Sequence, residues 1–360
     1  MLSVQCTKYD ESPLNAVKVN TVPRINIKTP RPDNIIVQTY VCPLDFVQLL
    51  LIQRKYQVRA EPPFALGAET IGRIVAIGNN VDPTRYKIGQ MVNAGPTDAD
   101  GNAWSNYGGF SEYVECEGRS AIIYPDDMDP CLFPSPYGYY TGMHALEDRA
   151  QIKKGETLLI LGASGGVGVA AIELGKLYGV TVIAAASSDE KLQTCKKLGA
   201  DYLINYEIEN LKTRCREITN GKGVDVVYDP VGDKYAEPAV RALAWKGRYV
   251  TIGYAGGDIP KIALNLLLLK EASILGSMAA EYIKHEEDTA LELRRKFETL
   301  VHKGDVFSEP KPISVYKVTE AAKALNLFNQ RQVQGKVMLV MPIYEEEYGN
   351  VNQRVSEAKL

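Results

Sequence analysis

An apolar run, Thr157-Leu158-Leu159-Ile160-Leu161, leads directly into Gly162-Ala163-Ser164-Gly165-Gly166-Val167-Gly168, and a helix-forming stretch follows to about Tyr178. Strand, glycines and helix in that order constrain the chain more than any other feature. Glycine at 162 permits a tight turn, and glycine at 165 lets backbone N–H groups come close to a pyrophosphate. Glycine at 168 lets the helix pack hard against the strand. Ser164, Gly166 and Val167 complete a turn expected to hold phosphates at a helix N-terminus, where unpaired N–H groups and the helix dipole favour negative charge. Glycines also punctuate ordinary turns, so the order of the elements carries the dinucleotide reading.

At 360 residues the chain suits two domains and can bury a full core. Its 41 basic and 44 acidic side chains leave a net charge of −3, which offers no footprint for nucleic acid or an anionic membrane surface. The longest apolar runs, residues 49–52 and 264–269, fall far short of the ~20 residues that span a bilayer. The N-terminus lacks a charged segment followed by an apolar one, so no secretory signal is expected. Six cysteines, at 6, 42, 116, 131, 195 and 215, form no C-x-x-C pair. That spacing argues against a zinc knuckle, a redox dithiol or a disulfide framework, and it suits a soluble protein in a reducing, intracellular compartment.

From Thr157 onward, short apolar strands alternate with amphipathic helices. Strands are expected at 180–186, 202–205, 224–229 and 248–252, and helices at 189–198, 207–218 and 234–244. This alternation reads as a parallel, doubly wound α/β sheet. Ser187-x-x-Glu190 has the spacing of a capping box for the second helix. The first 125 residues differ, with proline-rich connections and short β-rich runs at 35–40, 71–77 and 110–116. The end of the chain returns to that style, with strands at 312–316 and 336–341 around a helix at 319–329. The expected architecture is a β-rich domain built from residues 1–127 and 276–344, with a dinucleotide-binding domain of residues 128–275 inserted in it. Residues 345–360 are expected to form a polar tail.

Several stretches in order give the chain a family resemblance. They are Gly67-x-Glu69-x-x-Gly72, Gly108-Gly109-Phe110-x-Glu112-Tyr113, Thr141-Gly142-x-His144-Ala145-Leu146, the glycine turn, Ile204-Asn205-Tyr206, and Val224 to Gly232 followed by Gly247-Arg248. From about Ile35 to Val340 the chain resembles the medium-chain dehydrogenase/reductase superfamily, and within it the zinc-independent quinone oxidoreductases. The resemblance implies a Rossmann sheet inserted in a GroES-like catalytic domain, a nicotinamide cofactor and a homodimer. Zinc alcohol dehydrogenases of the superfamily carry Gly-His-Glu where this chain has Gly67-Ala68-Glu69. Asp45 aligns with one of their ligand cysteines, and Tyr137 falls near their third ligand. A catalytic zinc needs three protein ligands, so no metal is expected.

The zinc-free relatives usually read Asn-x-x-Asp, with a tyrosine eight residues later, where this chain has Asp45-Phe46-Val47-Gln48 and Tyr56. Carboxylate and amide have exchanged places. Asp45, Gln48 and Tyr56 are therefore the expected catalytic residues, with Tyr56 as donor or proton carrier. The alternative is that Asp45 and Gln48 merely cap a short helix. Thr141 resembles the family threonine that lies against the nicotinamide carboxamide. His144, His285 and His302 read as structural.

Rossmann domains that prefer NAD carry an acid near the end of the second strand, which here ends in Ala186-Ser187. Without that acid a 2′-phosphate is not repelled, and Ser187 and Lys191 supply a donor and a charge. The resemblance adds Tyr206 and Arg331 to this pocket. Gly253, at the turn after the fifth strand, completes the expected cofactor contacts. The expected activity is NADPH-dependent reduction of quinones or other α,β-unsaturated carbonyl compounds (enones) by metal-free hydride transfer. An enoyl-thioester (enoyl-CoA) reductase is the alternative enzyme, and an NADPH-binding structural or RNA-binding protein the alternative of another class. The closing Ala358-Lys359-Leu360 resembles a peroxisomal address; without it the expected location is the cytoplasm.

Overall fold

The computed structural model describes residues 1–56, 60–97, 108–306, 313–333 and 335–349, so the C-terminal Ala358-Lys359-Leu360 lies outside the described residues. The chain divides into two compact units, Met1–Ser135 with Arg294–Leu360, and Pro136–Leu293.

The first unit is β-rich. Its spine is the eleven-residue strand Asn34–Leu44, apolar on both faces, which pairs antiparallel with Thr70–Ile77, Tyr113–Glu117 and Lys336–Val340. Leu339 lies opposite Cys42, so the end of the chain closes the sheet begun near its start. Beyond Lys336–Val340 the sheet continues into Ile313–Lys317, and a separate three-stranded sheet joins Val17–Thr21, Leu2–Cys6 and Phe64–Ala65. Val4, Cys42, Leu51, Ile52, Tyr56, Phe110, Leu325 and Leu339 share one core cluster.

The second unit begins with the helix Pro136–Met143 (α1). It continues through β1 (Thr157–Leu161), α2 (Gly166–Leu177), β2 (Thr181–Ala186), α3 (Asp189–Lys197), β3 (Tyr202–Asn205), α4 (Leu211–Ile218), β4 (Val224–Asp229), α5 (Ala236–Ala242), β5 (Leu243–Thr251) and β6 (Ser273–Gly276). Its six strands are all parallel and lie in the order β3-β2-β1-β4-β5-β6. This is the doubly wound order in which the winding reverses direction beside β1. Helices cover the sheet, so β1 and β2 read as nearly continuous apolar runs, while β4 carries Asp225 and ends in Asp229. Leu159, Leu161, Ile183, Ile204 and Val227 face Leu211, Cys215, Ala236, Ala239 and Val240 on α4 and α5.

The structure departs from the sequence reading at several places. The second helix is capped by Ser188, whose hydroxyl accepts from the Lys191 N–H at 3.4 Å, and not by Ser187, so the capping box at 187–190 does not form. β5 starts at Leu243, five residues earlier than expected, and α4 starts four later at Leu211, because Asn210 provides the cap by accepting from Thr213 N–H. The edge strand β6 has no strong apolar pattern, which is why sequence periodicity passes over it, yet Ile274 pairs with Tyr249. That strand carries the sheet past residue 275, and His144 stacks on Tyr282 at 4.1 Å. The second unit therefore spans residues 136–293 where 128–275 was expected. Residues 345–348 belong to the helix Pro342–Tyr348 and not to a tail. Tyr344 anchors it, 2% exposed with its hydroxyl 3.0 Å from both Asp129 carboxylate oxygens.

The close approach of α2 to β1 depends on Gly168. A Cβ there would lie 2.5 Å from Gly162 O and 2.7 Å from Ala163 Cα, both backbone atoms with little freedom to yield. Gly168→Ala is expected to lower stability by about 1–3 kcal/mol, read as a fall in denaturation midpoint. An unchanged midpoint would show that the helix does not need this approach.

Candidate functional site

The glycine turn starts where β1 ends. Gly162 takes φ +57°, and a Cβ there would strike Val231 Cγ2 at 2.8 Å, so both backbone conformation and space call for glycine. Ala163 N–H bonds Ala185 O at 3.1 Å, which ties the turn to β2, and Gly165 N–H bonds Gly162 O at 3.0 Å. Gly165 then caps the twelve-residue α2, and no side chain among the described residues occupies that cap. A Cβ at Gly166 meets nothing within 4 Å, so the outer face of the turn is open where Gly168 behind it is crowded. Ser164 is buried within the turn, 5% exposed, and Val167 lies in the first turn of the helix, after Gly166. Uncapped N–H groups at the end of a long helix with an open glycine face fit a pyrophosphate.

At the end of β2 three side chains meet. Lys191 Nζ donates to Ser187 Oγ at 3.1 Å, and Ser187 also hydrogen-bonds the Tyr206 phenol. Because Ser188 serves as the helix cap, the Ser187 hydroxyl is available for this cluster. Burial pushes the Tyr206 phenol above its usual range, aided by Tyr235 and Glu207 and opposed by the bond to Ser187. Ala186, 1% exposed, ends the strand. The nearby Asp189 carboxylate is engaged by Asn205 Nδ2 at 2.8 Å. Arg331 lies in the first unit, exposed, with φ +56° in the turn after Ala321–Asn329.

Asp229, the last residue of β4 and 0% exposed, is a feature the sequence reading did not single out. Its Oδ1 accepts from Val231 N–H at 2.6 Å and Gly232 N–H at 2.8 Å, while the Tyr249 hydroxyl donates to Oδ2. Burial holds this carboxyl above its usual range against those bonds. The carboxylate fixes residues 230–232, and Val231 in turn packs where a Cβ on Gly162 would stand. An acid closing an apolar strand and followed by Pro230-Val231-Gly232 is the sequence signal for it. Gly253 lies just beyond β5, and Ala255 N–H bonds Pro230 O at 3.0 Å. On α1, Thr141 is 5% exposed, and its hydroxyl donates to Tyr137 O at 2.9 Å, leaving its oxygen able to accept.

In the first unit, Asp45 is the N-cap of the helix Phe46–Ile52. Among the described residues its Oδ1 takes every bond the carboxylate makes, from Val47 N–H at 2.8 Å, Gln48 N–H at 3.3 Å and Gln48 Nε2 at 3.3 Å. Gln48, 0% exposed, spends its carbonyl on Gly67 N–H at 3.2 Å, so its amide ties the helix to the glycine at 67. Capping is thus part of what Asp45 and Gln48 do, and Asp45 Oδ2 remains uncommitted among the described residues. Burial pushes the Asp45 carboxyl up to about 6, outweighing the hydrogen bonds that lower it. Tyr56 is 8% exposed and packs in the core cluster with Cys42 and Leu51.

These residues do not suit a catalytic zinc. Ala68 has no donor atom, and the single carboxylate of Asp45 cannot supply the three protein ligands a catalytic zinc needs. Among the described residues no group of three or more His, Cys, Asp or Glu could hold a metal, and no helix is long and apolar enough to cross a membrane.

Residues 31–126 match the alcohol dehydrogenase GroES-like domain and residues 166–296 the zinc-binding dehydrogenase domain. Quinone oxidoreductase-like protein 2 of Bos taurus is 31% identical over 318 residues, covering 86% of this chain and 87% of that protein. The chain belongs to the quinone oxidoreductase family of medium-chain dehydrogenases/reductases. As a member of that family it is an oxidoreductase with a GroES-like domain and a Rossmann sheet. Two solved structures share the fold. Escherichia coli quinone oxidoreductase complexed with NADPH superposes with a TM-score of 0.80 at 24% identity, covering 94% of this chain and 100% of that one. CurK enoyl reductase does so at 0.81 and 21%, covering 95% and 99%.

The raised carboxyl of Asp45 has a consequence for stability. A folded-state value of about 6 against the ordinary 3.8 means that the folded chain holds this proton more tightly than the unfolded chain. The resulting stabilisation is present below about pH 4 and is lost as the pH rises through about 6. Asn also caps helices well, so Asp45→Asn should gain on the unaltered protein by roughly 1–3 kcal/mol across that window. Denaturant titrations at pH 4 and pH 7 that show the same difference between the two proteins would contradict the assignment.

Proposed function

We propose that the protein reduces quinones and other α,β-unsaturated carbonyl compounds with NADPH, without a metal. The observation that carries the cofactor reading is the meeting of Ser187, Lys191 and Tyr206 at the end of β2, where Ala186 stands in place of an acid. The lysine ammonium and the serine hydroxyl bind a 2′-phosphate by charge-assisted hydrogen bonds. The open turn at Gly165 and Gly166 holds the pyrophosphate, with Gly253 lining the same edge of the sheet. When bound, NADPH supplies the hydride that adds to the unsaturated substrate.

The chain's own task is to orient the reactants and to stabilise the negative charge that develops on the substrate oxygen. Thr141, its proton given to Tyr137 O, accepts from the carboxamide of the nicotinamide. Tyr56 and protonated Asp45 are the proton carriers, with Oδ2 of Asp45 as the uncommitted atom. Gln48 positions Asp45 and Gly67. A simple alcohol oxidation does not suit this set, because it removes a hydroxyl proton and normally relies on a metal or a base of matched pKa.

A homodimer is part of the proposal. The edge strand β6 presents exposed Ser273, Ile274 and Gly276, and Leu264, Leu268 and Leu269 stand 70–80% exposed in the segment before it. An open parallel-sheet edge flanked by leucines invites pairing with a second copy. Sedimentation should give twice the chain mass, and Leu268→Asp should shift it toward the monomer. A monomeric unaltered protein would remove the idea.

Substrate class is tested by NADPH oxidation, with chelator present, across quinones, enones, alkenals and enoyl-CoA esters. Quinones and enones are expected to give the highest kcat/KM. A clear lead for enoyl-CoA esters would favour an enoyl-thioester reductase, and CurK, which shares the fold, is named an enoyl reductase. Oxidation of none of them, together with a salt-dependent RNA gel shift, would favour the non-enzymatic alternative.

A further inference from the structure

Ser277 follows β6, and its backbone N–H donates to Thr251 O, at the end of β5, at 3.0 Å. The residue is 6% exposed, and its hydroxyl oxygen has no hydrogen-bond partner among the described residues. A hydroxyl buried without a partner is costly and calls for an explanation. Its position supplies one. Ser277 stands at the carboxyl edge of a parallel sheet, the edge outside which ligands of such sheets bind.

The surroundings are built. The carbonyl of Gly276 accepts from Arg149 Nε at 2.9 Å, His144 stacks on Tyr282 at 4.1 Å, and Tyr282 N–H bonds Met278 O at 3.0 Å. The helical stretch that carries Thr141 and continues through His144 to Arg149 therefore runs beside residues 276–282. A dinucleotide anchored by its 2′-phosphate at β2 and by its pyrophosphate at β1, running on along the same edge, would pass β4 and β5 toward β6, which lie on the other side of β1 from β2.

We infer that the Ser277 hydroxyl binds the carboxamide of the nicotinamide, on the far side of the cofactor from the phosphate pocket. A serine hydroxyl can donate to the carboxamide oxygen or accept from its amino group, and so complements Thr141, whose oxygen can only accept there. This inference rests on the NADPH reading above.

The test compares Ser277→Ala with the unaltered full-length protein by calorimetry, using NADP⁺ and 2′-phospho-ADP-ribose, which has the phosphate pocket's ligand but no nicotinamide. Affinity for NADP⁺ should fall about threefold to tenfold, while affinity for 2′-phospho-ADP-ribose stays within about twofold. Without ligand the variant should melt at the same temperature or higher, since it loses only an unsatisfied group. Equal loss for both ligands, no loss for either, or a lower melting temperature without ligand would overturn the inference. A raised KM for the carbonyl acceptor with NADP⁺ affinity intact would also overturn it, by moving the hydroxyl's partner to the substrate. If the unaltered protein bound neither ligand, the NADPH reading itself would fail, which is a separate result.

Discussion

Much of the second unit depends on one close approach, the backbone contact between α2 and the turn leaving β1. With no side chain at Gly168, the helix comes near enough for its N-terminus to sit at the edge of the sheet. The left-handed turn at Gly162 aims the chain into that position. Everything assigned to the cofactor is measured from there, with β2 and its phosphate pocket on one side and β4, β5 and β6 on the other. Asp229 reinforces the arrangement from a neighbouring strand, because the residues it holds include Val231, which packs against Gly162. A buried acid is thereby used to shape a backbone, with its hydrogen bonds offsetting the cost of desolvation.

The first unit rests on a different constraint. The strand Asn34–Leu44 is buried along its length and ends at Asp45, so the cap, the helix Phe46–Ile52 and Gly67 are positioned by one continuous spine. Exchanging carboxylate and amide between positions 45 and 48 puts the ionisable group at the cap, where three donors converge on a single oxygen. The other oxygen is left to hold a proton, and burial makes that proton available nearer neutral pH. Structural and chemical roles therefore coexist in Asp45.

What could be read from the sequence divides along the same lines. The glycine turn and strands 202–205 and 224–229 were legible because their signals are local: punctuating glycines and short apolar runs. Ser187 and Ser188 are both good caps, and only the backbone shows which one turns inward to the helix, which is why the cap was misplaced by one residue. The short, four-residue β6 is a strand through pairing with β5, a contact without local signature, and it sets the boundary of the unit and the position of Ser277. Residues 345–348 look like a charged tail, but buried Tyr344, the Tyr40 hydroxyl on Glu347 and the Lys317–Glu345 ion pair hold them as a helix. The identity of Asp45 and Gln48 was visible in the chain; which oxygen is committed was not.

The claim at the centre of this account is that the end of β2 selects a 2′-phosphate. The most direct measurement is the affinity of the unaltered protein and of Lys191→Ala for NADP⁺ and NAD⁺ in one buffer. Losing a charge-assisted partner should weaken NADP⁺ about tenfold to a hundredfold and leave NAD⁺ nearly unchanged. Equal weakening of both, or an unaltered protein that binds NAD⁺ as tightly as NADP⁺, would contradict it.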